Sequence, residues 1–172
     1  HGGIATFAGS FGDVLPWLTV GRRVIGVELQ GHGHTPDTGR AMSIERFADD
    51  VAELIDRVAS GGPVDVWGFS LGGLTATSLA VRHPAKVRRL VLAASHIRPD
   101  GYHPEITAAE QDDPRLPTEE EFAAWHADYE AVAPNPAHFF PFLERLQPVV
   151  HDFEGWTADE IRSITAPTFL VI

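Results

Sequence analysis

The stretch Val64-Asp65-Val66-Trp67-Gly68-Phe69-Ser70-Leu71-Gly72-Gly73 constrains this chain more than any other. A short β-branched run leads into Gly-x-Ser-x-Gly. A helical stretch follows from Leu71 to about His83 and is stopped by Pro84. Strand, sharp turn and helix in that order form a context in which a serine hydroxyl is lifted clear of a sheet edge. Gly68 and Gly72 leave room for neighbouring backbone to approach. The amide of Leu71, at the start of the helix, is oriented to face developing negative charge. The five-residue pattern alone is common, and its plain alternative is a βα turn whose serine merely caps the helix. The flanking strand and helix favour a nucleophilic serine.

The segments around this turn predict an α/β architecture. Arg23 to Val27 reads as a buried strand. Ser43 caps an amphipathic helix with Ile44, Phe47, Val51, Leu54, Ile55 and Val58 on one face. Val87 to Ala94 and Thr168 to Ile172 read as further buried strands, and Phe11 to Leu18 as a short helix. Alternating strands and helices predict a doubly wound, mainly parallel sheet with helices on both faces and the serine-bearing strand internal. Ligands then bind outside the carboxyl ends of the strands.

From Ser95 the character changes. Residues about 97–157 hold many prolines, acids and aromatics, with helices expected from Thr118 to Val132 and from Pro136 to Leu146. This region reads as a helical cap insertion over the strand-end cleft, whose aromatics form either a small core of the cap's own or a pocket lining. The expected division is therefore a core at 1–96 containing the serine turn, a cap at 97–157, and a return to the core at 158–172.

Composition narrows the function classes. A net charge of −11, with Lys86 the only lysine, argues against a nucleic-acid surface. No apolar run approaches the ~20 residues of a membrane span, so a membrane role is not expected. With no cysteine in the chain, disulfides and thiolate metal sites are excluded. A cytoplasmic location is the expectation, although the first residue, His1, suggests a truncated or processed start. Composition does not set the oligomeric state. The pair His32-x-His34 lacks a third ligand, so no metal is expected. Gly31-His32-Gly33-His34 does not fit a dinucleotide loop. Asp112-Asp113 and Glu119 to Glu121 read as solvated acids or helix-dipole partners. His96, just after a strand, is the best-placed internal histidine for a base but reads foremost as a cleft-lining or hinge residue.

Four motifs in order give the chain a resemblance to the α/β-hydrolase fold superfamily, in its serine-nucleophile branch. His1-Gly2-Gly3 resembles the His-Gly-x loop after the third strand. Glu28-Leu29-Gln30-Gly31-His32-Gly33-His34-Thr35 resembles the Asp-x-x-Gly-x-Gly-x-Ser loop, with glutamate in place of the usual aspartate, and its wording is similar to a bacterial subset. Gly68 to Gly73 resembles the nucleophile elbow, and Ile164 to Ile172 the strand that leads into the acid loop. The resemblance implies a cofactor-independent Ser-His-acid hydrolase. Ser70 would be the nucleophile, the Gly3 and Leu71 amides the oxyanion hole, and Gly68 and Gly72 the elbow glycines. The substrate would be a small ester, lactone or similar acyl compound. The implied acid and histidine fall beyond residue 172, so this chain alone is expected to be inactive and to be the central portion of a longer enzyme. The alternatives are a catalytically silent small-ligand-binding module and other chemistries hosted by the same fold: carbon–carbon hydrolysis, cofactor-free oxygenation or perhydrolysis.

Overall fold

Apolar runs that alternate with amphipathic helices dictate a layered α/β structure. The computed structural model of the chain describes residues 1–59, 62–101 and 116–172. The Asp112-Asp113 pair, Pro104 and Gly61 lie outside the described residues. Strands β1 (Val64–Phe69), β2 (Val87–Ala93) and β3 (Thr168–Val171) form one parallel sheet in the order β1-β2-β3. Among the described residues no helix is long and apolar enough to cross a membrane.

The elements in chain order are α1 (Phe7–Phe11), α2 (Leu15–Leu18), α3 (Ile44–Val58), β1, α4 (Leu71–Arg82), β2, α5 (Glu119–Val132), α6 (Phe139–His151), α7 (Ala158–Arg162) and β3. Helix α3 forms as its periodicity predicts, with Ile44, Phe47 and Ile55 buried. Helices α3 and α4 cover one face of the sheet, where Val64, Val66, Leu90 and Leu92 join Leu79 and Ile55 in one apolar cluster. On the other face, Phe11 of α1 meets the Trp67 ring edge-on at 5.5 Å. Strand register puts Phe169 and Val171 on that same face, where they are exposed.

Four expectations are corrected. Strand β3, expected to be buried, is exposed at every residue, because no further layer packs on it among the described residues. Residues 23–27 are not a strand. They lie beside no hydrogen-bonded strand among the described residues, Ile25 is 40% exposed, and an extended segment without a ladder partner is not a strand. For the same reason the serine-bearing strand β1 is at the edge of the described sheet, not internal. The Phe11–Leu18 helix is instead two short helices, because Thr6 caps a turn starting at Phe7 (its hydroxyl accepts from the Gly9 amide at 2.9 Å) and Pro16 starts a second turn.

The later helices form close to their expected positions. Thr118 and Glu121 make a reciprocal capping box at the start of α5. Helix α6 runs past the expected stop at Leu146 to His151 and contains Pro148. The aromatics of residues 97–157 do not form a separate small core, and Phe140 lines a groove. Tyr129, Phe139 and Phe142 share one buried cluster with Leu29, Phe47 and Leu71 of the α/β part. The two ends of the 97–157 segment meet where the Trp156 amide donates to the Ile97 carbonyl at 3.0 Å.

Candidate active site

Ser70 stands between β1 and α4 with φ 52° and ψ −117°. That is a region which non-glycine residues enter at a cost of ~1–3 kcal/mol. Surrounding contacts force the turn. A Cβ on Gly68 would lie 2.2 Å from the Gly72 carbonyl oxygen, and one on Gly72 would lie 2.5 Å from the His1 nitrogen. The turn is therefore tight enough that only glycine fits on either side of the serine. Gly73, which sequence reasoning did not single out, is equally restricted, because a Cβ there would meet the Ser95 Cβ at 2.5 Å.

Although Ser70 occupies the N-cap position of α4, its side chain makes no capping hydrogen bond. The plain alternative of a capping serine is thus not what the chain adopts. Backbone groups do the work instead. The Gly72 amide donates to the His1 carbonyl at 2.8 Å, and the Gly73 and Leu74 amides donate to the Ser70 carbonyl at 2.8 and 3.1 Å. Among the described residues, the Leu71 amide is the one of these first helical amides without an acceptor. A free amide at a helix N-terminus, next to a serine whose hydroxyl is uncommitted, is a geometry suited to stabilising negative charge.

The loop His1-Gly2-Gly3 packs directly on this turn. His1 touches Gly72, and a Cβ on Gly2 would lie 3.4 Å from the Phe69 ring. Gly3 sits further along, where a Cβ would be 3.9 Å from a Leu146 methyl group of α6. Gly3 also borders a groove of about 450 Å³ against α6, with Ile4, Phe140, Leu143, Leu146 and Val150 on its walls. A second hollow of about 380 Å³ lies under α3, between Val27, Pro36 and Leu54, and touches no residue of the serine turn.

At the adjacent strand end Ala94 also has positive φ, 47°. Register places it beside Ser70, since Phe69 pairs with Ala93 and the Ser70 amide donates to the Ala93 carbonyl at 2.9 Å. Ser95 next to it has a buried hydroxyl without a partner among the described residues. Sequence reasoning missed this pair. The only signal was its position at the carboxyl end of a strand parallel to the serine strand. His96 follows, its pKa lowered by burial.

The two histidines considered as a metal pair have separate tasks. His34 Nδ1 bonds the Glu28 carboxylate at 2.9 Å, which also accepts from the His34 and Phe7 amides at 2.8 and 3.2 Å. Burial alone would raise the Glu28 pKa, but these bonds outweigh it and hold the carboxyl below its usual value. Gly33 (φ 52°) has no space for a Cβ, which would fall 2.3 Å from that carboxylate. His32 points the other way, into the core. No group of three or more metal-ligating side chains occurs among the described residues.

The segment preceding α3 also anchors the aromatic helices. The Asp37 side chain, 1% exposed, accepts from Arg145 Nη1 at 2.5 Å and lies 3.0 Å from His138 Nε2. Gln30 Nε2 donates to it at 3.0 Å, and Arg145 also donates to the Arg40 carbonyl at 2.6 Å.

Comparison with known proteins gives this geometry a context. A pimeloyl-acyl-carrier-protein methyl ester esterase of Neisseria meningitidis is 45% identical over 100 residues, covering 58% of this chain and 34% of that protein. The enzyme of the same name from Photobacterium profundum is 38% identical over 88 residues, 50% of this chain and 32% of that one. The chain thus spans about a third of the length of these curated relatives. Among solved structures, Est816, described as an N-acyl homoserine lactone degrading enzyme, superposes with a TM-score of 0.69 at 23% identity, covering 99% of this chain and 71% of that one. Residues 1–128 match the family described as the alpha/beta hydrolase fold, and the chain belongs to that family.

Proposed function

We propose that this chain carries the nucleophile and oxyanion-binding half of a serine hydrolase that cleaves a small ester or similar acyl substrate. The observation that carries the reading is Ser70 held at φ 52° with its hydroxyl unused as a cap, beside the unpaired Leu71 amide. Names of the relatives at 38–45% identity support ester hydrolysis. In this reading Ser70 Oγ attacks the acyl carbonyl and loses its proton to a base. The Leu71 and Gly3 amides hold the resulting oxyanion, each lowering the barrier by on the order of 3 kcal/mol. The alcohol then leaves with the proton, and water cleaves the acyl-serine ester. Residues 97–157 act as the cap, and the groove beside Gly3 receives an apolar part of the substrate. No cofactor takes part.

In the family's order, the acid and histidine follow the strand equivalent to β3. In this reading none of the nine histidines here is assigned the base's role. The test is fluorophosphonate labelling of the full-length protein with peptide mapping. Labelling confined to Ser70 and lost in Ser70→Ala supports the reading. Labelling elsewhere, or none, rejects it in favour of a silent binding module. Isolated residues 1–172 should turn over a nitrophenyl ester negligibly. Rapid turnover that Ser70→Ala abolishes would place the base inside this chain, with His96 the first candidate.

A further inference from the structure

The Gly2-Gly3 pair is intrinsically the most mobile kind of backbone, yet in the reading above the Gly3 amide must be held in place. Two hydrogen bonds hang this loop from the segment 29–32. The Leu29 amide donates to His1 Nε2 at 3.1 Å, and His32 Nε2 lies 2.7 Å from the Gly3 carbonyl oxygen. Among the described residues, no other group bonds to Gly3.

His32 itself is 2% exposed. Its second nitrogen, Nδ1, lies 3.1 Å from the Gln30 carbonyl, so two carbonyls face one ring. Burial lowers the pKa to about 4, so the ring is neutral near pH 7 and carries one N–H. The shorter contact takes that proton, and Nε2–H donates to Gly3. The ring also meets Phe142 of α6 edge-on at 4.8 Å. Gly31 is pressed against the same phenyl ring, where a Cβ would lie 2.7 Å away.

We propose that His32 is the positioning residue of the oxyanion loop: its Nε2–H fixes the Gly3 peptide, and its contact with Phe142 ties that position to the seating of helix α6. The inference rests on the assignment of the Gly3 amide to the oxyanion hole. Through His32, the helix that walls the substrate groove and the loop that stabilises the transition state share one register.

Three variants test it. His32→Phe keeps an aromatic ring but removes the donor. His32→Gln places an amide N–H near the reach of Nε2, whereas His32→Asn reaches only as far as Nδ1. The first readout is the rate of fluorophosphonate labelling of Ser70 in the full-length protein. The second is the ¹⁵N order parameter of the Gly3 amide. His32→Phe should slow labelling by ~10²-fold, the scale of a small misplacement of a catalytic group. Its Gly3 order parameter should fall from the rigid ~0.85 towards ~0.6 or below, with Leu71 unchanged. His32→Gln should recover labelling to within about tenfold of wild type and the Gly3 order parameter to about 0.85, and His32→Asn should recover neither. Wild-type labelling and Gly3 order in His32→Phe, or equal impairment of the Gln and Asn variants, would overturn the proposal. If the phenylalanine variant fails to fold, the Gln/Asn pair decides the question. If the wild-type protein is not labelled at all, the nucleophile assignment fails, while the order parameter still judges the tether.

Discussion

Two serines begin the two helices that pack on the same face of the sheet, and they do opposite things. Ser43, ahead of α3, has extended backbone at φ −158° and ψ 163°, and its hydroxyl accepts from the Arg46 amide at 3.2 Å. Ser70, ahead of α4, has φ 52° and ψ −117°, and its hydroxyl caps nothing. The loop leading into Ser43 is stitched down by buried polar groups, Asp37 and His32 among them, each with partners from elsewhere in the chain. The turn at Ser70 is enforced by steric exclusion, through glycines pressed against backbone. The first junction stabilises the molecule. The second stores strain and leaves a hydroxyl and an amide available, as a reacting site requires.

The comparison breaks most severely at Gly68. A Cβ there would lie within 2.7 Å of three backbone atoms of Gly72 and Gly73, and backbone in a packed helix start cannot move aside cheaply. Gly68→Ala should cost on the order of 4 kcal/mol or more, among the largest effects of a point change. Gly62→Ala, whose nearest neighbour is 3.9 Å away, should be near neutral. Urea unfolding of the two variants checks this. Equal midpoints would mean the elbow is not sterically enforced.

At the other junction the largest effect belongs to Asp37. Replacing this buried carboxylate with an amide in Asp37→Asn leaves Arg145 without its counter-charge and weakens the contact with His138, at a cost of about 3 kcal/mol. Burial pushes the Asp37 carboxyl up, but hydrogen bonds from His138, Gln30 and the Gly39 amide, with the Arg145 charge, hold it below its usual value. A depressed carboxylate stabilises the fold above its unfolded pKa of ~3.9 and loses that contribution as pH falls further. The loss below pH 4 should be smaller in Asp37→Asn, as acid titration by circular dichroism would show.

A separate pH effect of intermediate size comes from His32. Its folded pKa of about 4 lies below the model-peptide value of 6.5. The unfolded chain therefore takes up a proton, as pH falls below 6.5, that the folded chain refuses. Stability is full above pH 6.5 and falls towards pH 4, with a loss of about 2 kcal/mol between pH 7.5 and 5. Chemical denaturation at the two pH values should show this decline, and His32→Phe should flatten it.

Sequence pattern made the local parts of both junctions legible. The Ser43 cap, the amphipathic face of α3, the Gly-x-Ser-x-Gly turn and the Thr118 cap are each written within a few residues, and each formed near its expected position. Long-range features carried no such signal. Asp37 meets His138 and Arg145 across 101 and 108 residues, and nothing around Asp37 marks it for burial. Residues 23–27 have the composition of a strand but, among the described residues, no strand beside them, a fact about neighbours rather than propensity. Pro148 reads locally as a stop, yet α6 continues through it because Phe142, Leu146 and Val149 bury one continuous face. The strain at Ala94 is likewise invisible in an ordinary alanine.

The smallest stability effects are the sharpest test of the contrast, because they require the same substitution to act differently at two serines. Ser43→Ala removes an N-cap acceptor and should cost about 1 kcal/mol. It should leave labelling at Ser70 unchanged, because the lost bond is local to α3. Ser70→Ala removes a hydroxyl with no capping bond, and alanine inherits the same unfavourable φ, so stability should move by no more than about 0.5 kcal/mol. Ser70→Gly relieves the positive φ but increases the freedom of the unfolded chain. The first effect is ~1–3 kcal/mol and the second about 0.4–1 kcal/mol, so a net gain of around 1 kcal/mol is expected. Thermal unfolding of the three variants should therefore rank Ser70→Gly above wild type, Ser70→Ala beside it and Ser43→Ala below. A destabilised Ser70→Ala would mean that the hydroxyl supports the fold after all, and the functional reading of the strained turn would lose its main physical ground.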